Sequence, residues 1–319
     1  MLPRNVLIFH AGALGDFLLT FPLALALCRV MPQSRVYYVT HGQKAALAEN
    51  LLGVHAADVE AGWGGLFGHG DLAEKPARLL AGGQLIVDFT PDGRPRSDRF
   101  APYSPAPVLT LPHRPADDHT GHVLDAYENA LAHEPALANA FASMRRHIET
   151  SGLLPGRNAE PSHALLHPGS GGRDKCWPVA QWCRLASLLR SRGLAVTMVL
   201  GETERDRLSS PDRNELADAA DALAEPQDLN ALATLMATAG VYVGHDTGPT
   251  HLAAMLGVPS VALFGPASRT AQWHPLGPAV TLLQASAWAD LTPEAVAKAA
   301  ETAAEQNQPA PARATCNAD

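Results

Sequence analysis

A chain of 319 residues with a formal charge of −8 and no lysine- or arginine-rich stripe is set against nucleic acid as its main partner. Its length is about twice that of a typical domain, and 46% hydrophobic against 18% charged residues suits two folded α/β domains rather than a disordered chain. No run of eighteen apolar residues offers a membrane span, and residues 6–9 lead straight into a glycine turn rather than a secretory signal, so a cytoplasmic protein is expected.

Four scattered cysteines, with no CxxC and no ligand spacing, read as thiols. Residues 4–9, RNVLIF, read as a short buried strand, after which HAGALGDFLLTFPLALALCRVM turns helical at about Asp16. Gly12 and Gly15 let this turn approach a ligand, although the full dinucleotide fingerprint is missing. Asp16 falls in a first helical turn, where the helix dipole favours a carboxylate whatever else it does. Pro22 removes a backbone bond, so the helix kinks or restarts there. A strand over 36–40, a helix over 43–50 and a short strand over 56–59 follow. The glycine-rich AGWGGLFGHGD reads as a mobile loop over a site or as a plain surface loop.

LIVDFT, residues 85–90, is another buried strand, and the loop after it gathers Arg94, Arg96 and Arg99, with Arg114 a little beyond. Such guanidiniums grip a phosphate or carboxylate bidentately, or are simply solvated. A helix covers HTGHVLDAYENALAHEP. The glycine- and proline-rich segment 151–162 marks a domain boundary, giving domains over 1–155 and 156–306 and a disordered tail over 307–319.

The second half restarts the alternation. HALLHPGSGGRDKCWP is a strand and a glycine loop, in which Gly169, Ser170, Gly171 and Gly172 offer amides to an anion and Arg173 and Lys175 add charge; the Walker spacing fails. A helix over 179–192, a strand over 195–200, a polar helical stretch over 203–220 and a helix over 228–239 lead to VYVGHDTGPTHLAAMLGVPSVALFGP, residues 241–266. There a buried strand stops at Gly244, Asp246 or Thr247 is placed to accept from first-turn amides, and Pro249 sits where a helix has no use for its missing N–H. Gly257 closes the helix and 260–264 form the next buried strand. A helix opening at the carboxyl end of a parallel strand suits an anion, although every βαβ unit has such a turn. His251 either donates to a phosphate oxygen or packs against Asp246. A strand over 280–283 and a helix over 293–306 complete two doubly wound domains expected to face a cleft.

Three stretches, GALGDFLLTFPL, HPGSGGRDKCWP and GHDTGPTHLAAMLGVPSVALFGP, stand in an order and at separations that resemble the lipopolysaccharide heptosyltransferases of glycosyltransferase family 9. The resemblance implies a GT-B fold of two Rossmann-like domains facing a cleft, with the acceptor on the N-terminal side and the donor on the C-terminal side. It further implies inversion at the anomeric carbon without a metal or other cofactor, ADP-heptose as donor, and a glycan or lipid-linked acceptor of the lipopolysaccharide core, reached by peripheral contact with the inner membrane.

Position by position, the resemblance makes Asp16 the catalytic base and Lys175 the phosphate-contacting catalytic cation. Gly169, Ser170, Asp246, Thr247, Gly248 and His251 fall on the donor, and Gly15, Arg94, Arg96 and Arg99 on the acceptor. A base within reach of the acceptor hydroxyl is worth about 10²–10⁴ in rate. Charge growing on the departing diphosphate needs Lys175 and the helix amides at 247–250, and losing one such preorganised partner costs roughly 3–4 kcal/mol. The chain holds no Asp-x-Asp triplet of the metal-dependent kind.

Residues 1–150 carry 12 Lys plus Arg against 15 Asp plus Glu, more acidic than a domain meeting a phosphorylated lipid calls for. A nucleotide-sugar epimerase or hydrolase of similar build and a non-catalytic nucleotide-sugar binder are the alternatives. Motif order speaks against the first, and the joint presence of Asp16 and Lys175 against the second.

Overall fold

Short apolar strands alternating with helices form two wholly parallel sheets. The computed structural model describes residues 4–91, 94–116, 118–172 and 176–305. The chain divides into two units, the first ending at Arg146 and the second starting at His147.

The first unit holds β1 (Asn5–Phe9), β2 (Arg35–Thr40), β3 (His55–Asp58), β4 (Gly83–Thr90) and β5 (Val108–Pro112) in the order β3-β2-β1-β4-β5. Every residue of β1 is buried, as a central parallel strand covered on both faces requires. The strand order reverses between β1 and β4, so the loops leaving their carboxyl ends diverge and open a crevice there. Of the two outcomes open at Pro22, the helix restarts: Leu14–Leu18 ends, and Phe21–Val30 begins with the proline in its first turn. The Thr20 hydroxyl, 2.7 Å from Phe17 O and 2.8 Å from Tyr38 Oη, holds the joint.

The glycine-rich segment is exposed over residues 67–71 but anchored by its first half. Trp63 and Leu66 are buried, and Trp63 meets Phe9 edge-on at 5.3 Å. Its glycines serve tight folding, since a Cβ on Gly65 would stand 2.6 Å from the backbone nitrogen of Leu72. A helix at Glu74–Ala81, strand β5 and a helix at Pro135–Ser151 add to the elements expected.

The second unit holds β6 (Glu160–His167), β7 (Ala195–Val199), β8 (Ala222–Ala224), β9 (Ala239–His245), β10 (Ser260–Phe264) and β11 (Val280–Gln284), ordered β11-β10-β9-β6-β7-β8. Its reversal falls between β6 and β9, and the register pairs His167 with Gly244. The loop after β6 and the turn after β9 therefore leave the sheet side by side. Beneath them lies a core that includes Trp177, Trp182, Met198, Val241, Leu263 and Val296.

The segment taken for the boundary is fastened to this unit. Leu153 N–H donates to Met255 O at 2.6 Å, and the Arg157 guanidinium donates to the carbonyls of Gly257 and Ala239. Cys176 and Cys183 are free thiols. The tail over 307–319 lies outside the described residues.

Candidate functional site

In the second unit the site grows from the end of β9. His245 is fully buried, and the Trp177 N–H donates to its Nε2 at 2.8 Å. The ring proton is thereby assigned to Nδ1, which donates to Gly169 O at 3.0 Å. Burial pushes the pKa of His245 down to about 4, so the ring is neutral. The rings of Trp182 and Trp288 meet it at 5.1 and 5.4 Å.

Past His245 the helix Gly248–Met255 opens with Thr247 as its N-cap. Of the two residues placed to accept from the first-turn amides, Thr247 forms no side-chain cap. The hydroxyls of Thr247 and Thr250 instead turn back to His245 O at the end of the strand. Thr247 O accepts from the amides of Thr250 and His251 at 3.1 and 3.2 Å. With Pro249 lacking a donor, the amides expected at 247–250 reduce to those of Thr247 and Gly248 as the ones without a backbone acceptor among the described residues. Asp246 is half-buried in the same turn. His251 is buried, with Nδ1 unpartnered among the described residues, and burial first, then His274, pushes its pKa down to about 4. Any hydrogen bond from its ring is therefore that of a neutral imidazole.

Facing this turn, Ser170 is buried with its hydroxyl unpartnered among the described residues. Gly169 passes so close to Glu204 that a Cβ on it would overlap the carboxylate. Glu204 is itself buried, accepting the Gly201 N–H at 2.9 Å and standing 3.5 Å from His167 Nε2. Burial pushes the Glu204 carboxyl up, but His167 and the backbone amides outweigh it and hold the group ionised, below its ordinary value. Lys175 and Arg173 lie outside the described residues.

In the first unit Asp16 is half-buried in the first turn of Leu14–Leu18, beside the β1/β4 reversal, with Gly15 before it. Lys44 donates to Gly12 O at 2.6 Å; burial lowers its pKa, with Asp16 close enough to pull it back. His10, just past β1, is buried with neither ring nitrogen partnered among the described residues, and stacks on His113 at 4.9 Å. Asp88, near the end of β4, is buried; its pKa is raised by burial and pulled back by Arg99 and then Arg96. Arg99 also lies over the Phe67 ring at 5.0 Å, whereas Arg94 is exposed.

The structure thus gathers Gly169, Ser170, Asp246, Thr247, Gly248 and His251 around the β6/β9 reversal, and sets Asp16 and two of the three arginines around the β1/β4 reversal. Sequence reasoning missed His245, Glu204, Lys44 and His113, whereas His10 and His167 read from sequence as ending strands at the presumed cleft, with a loop or core histidine as the default. The one signal available was a polar residue ending an apolar strand, which His10 and His245 share. Among the described residues no group of three or more His, Cys, Asp or Glu is placed to hold a metal, and no helix is long and apolar enough to cross a membrane.

The model of glycosyltransferase family 9 (heptosyltransferase) matches residues 122–301, more than half of the chain. The chain belongs to glycosyltransferase family 9. The family segment contains the whole β6/β9 edge, while Asp16, Gly15 and the three arginines lie before it. Lipopolysaccharide heptosyltransferase 3 of Escherichia coli is 28% identical over 153 residues, 46% of this chain and 41% of that protein, so the chain spans under half the length of this curated relative. Several solved structures resemble nearly the whole chain, two of them as follows. The glycosyl transferase family 9 protein from Veillonella parvula DSM 2008 has a TM-score of 0.71 at 19% identity, covering 96% of this chain and 99% of that one. E. coli heptosyltransferase WaaC with ADP has a TM-score of 0.64 at 17% identity, covering 94% and 100%. Such distant likeness speaks to the fold, which is GT-B, as the sequence resemblance implied.

Proposed function

We propose that this family 9 protein is an inverting glycosyltransferase that moves heptose from ADP-heptose to a hydroxyl of a lipopolysaccharide-core or other lipid-linked glycan, with Asp16 as general base. The first domain (1–155) receives the acceptor through Gly15, Arg94, Arg96 and Arg99, and the second (156–306) holds the donor. The enzyme works in the cytoplasm, touching the inner membrane peripherally, and needs no metal or other cofactor.

One observation carries this reading: in a family 9 chain, the Gly169–Ser170 loop and the turn at 246–248 emerge side by side at the β6/β9 reversal. Two amides without backbone acceptors and a serine hydroxyl without a partner among the described residues, together with a helix N-terminus, then converge where a diphosphate gathers charge as it leaves. Lys175 adds the cation. The ADP with which E. coli heptosyltransferase WaaC was solved is a ligand of this class. On the acceptor side, Asp16 takes the hydroxyl proton, and Lys44 keeps a positive charge close to it.

Asp16→Ala and Asp16→Asn test the assignment, with ADP-heptose as donor. Turnover should fall about 10²–10⁴-fold. ADP affinity should stay close to that of the unaltered protein, because the carboxylate is assigned to the acceptor. Unchanged turnover in either variant would show that the base lies elsewhere.

A further inference from the structure

We propose that His245 is a positioning residue for the diphosphate: its buried ring ties the loop after β6 to the turn after β9, and so fixes Ser170, Thr247 and Gly248 relative to one another. The inference rests on the reading of this edge as a nucleoside-diphosphate site.

The ring bridges segments that the chain keeps far apart. Gly169 lies 76 residues before His245 and Trp177 lies 68 residues before it, yet one ring nitrogen serves each. Both partners are backbone groups on either side of the segment that carries Lys175 in the sequence. The carbonyl of His245 accepts from Thr247 and Thr250, so side chain and main chain of one residue hold both halves of the edge.

An imidazole suits this task because it presents a donor and an acceptor in opposite directions at once. The imidazolium would have two donors, and its Nε2–H would oppose the Trp177 N–H. Burial keeps the neutral form in place. The rings of Trp182 and Trp288 flank it at 5.1 and 5.4 Å, nearly perpendicular to it. No side chain of similar size reproduces both bonds. Asparagine reaches as far as Nδ1 and keeps the bond to Gly169 O, whereas glutamine reaches as far as Nε2 and keeps an acceptor for the Trp177 N–H.

Titration calorimetry with ADP on the full chain tests this, using wild type, His245→Ala, His245→Asn, His245→Gln and a control in the same sheet. The control is His163→Ala, which removes a bond of 2.9 Å between β6 and Thr197. Losing both ring bonds should raise the ADP dissociation constant on the order of tenfold, with the asparagine and glutamine variants in between. His163→Ala should lower the melting temperature and leave ADP affinity unchanged. The inference is overturned if folded His245→Ala binds ADP like wild type, or if His163→Ala weakens ADP equally. If the alanine variant does not fold, the other two decide, and wild-type affinity in both overturns it. Wild type that binds no ADP, UDP, GDP or dTDP removes the site reading itself and this inference with it, a failure seen before any variant is compared.

Discussion

Replacing Gly169 by alanine probes the packing beneath the glycine loop. The new Cβ would overlap the Glu204 carboxylate, so one of the two must move. Glu204 cannot swing aside freely, being 6% exposed and held by the Gly201 N–H at 2.9 Å and His167 at 3.5 Å. Displacing it gives up a buried hydrogen bond to a charged group, worth about 1.5–3 kcal/mol. Moving the loop instead draws Gly169 O away from His245, at similar cost. For a unit of this size the melting temperature should then drop by roughly 3–12 °C. Thermal and urea unfolding of Gly169→Ala, Glu204→Ala and the double variant give the coupling. With the carboxylate gone, alanine at 169 should cost little, leaving an interaction of about 1 kcal/mol or more between the two changes. If Gly169→Ala melts within about 1 °C of wild type, or costs the same in both backgrounds, the close approach of Gly169 to Glu204 is refuted.

Two further predictions concern the first unit. Trp63→Ala removes a buried ring packed on Phe9 and should cost about 3–5 kcal/mol in denaturant unfolding; a loss under about 1 kcal/mol would return the glycine-rich segment to the surface. The Asp125 carboxyl, pushed up by burial, is held lower on balance by Arg145 at 2.6 Å and the His122 amide. A carboxyl lowered in the folded state stabilises above its unfolded value near ~4, and that contribution fades as pH falls through the folded value. The stability gap between wild type and Asp125→Asn should therefore be present at neutral pH and close below about pH 4, remaining modest because the carboxylate is 43% exposed. A gap that does not change with pH counts against the pairing.

What the sequence displayed was local. The β9 turn and helix were legible because an apolar run, Gly244, Pro249 and Gly257 punctuate them within a single stretch. The restart at Pro22 was legible as one of two outcomes of a missing donor. Strand β5 was not, because five residues ending in proline carry little period. The helix Pro135–Ser151 hid behind its own proline, which reads as a stop but serves as a first-turn residue, and its buried Leu137, Phe141 and Ile148 are spaced among alanines and polar residues. In the site, glycines and the DTG turn announced themselves. His245 did not, since its meaning lies in Gly169 and Trp177, which only the β6/β9 pairing brings near. Of the two residues placed to cap the helix, Thr247 forms no side-chain cap for a similar reason, as its hydroxyl donates to the carbonyl of His245.

Binding of a nucleoside diphosphate by the β6/β9 edge is tested most directly by melting the full chain with ADP, UDP, GDP and dTDP in turn. At a hundred times its dissociation constant a ligand adds about 2.7 kcal/mol to stability. ADP should raise the melting temperature by several degrees and by more than the other three. A melting temperature that none of the four moves would contradict a diphosphate site in this protein.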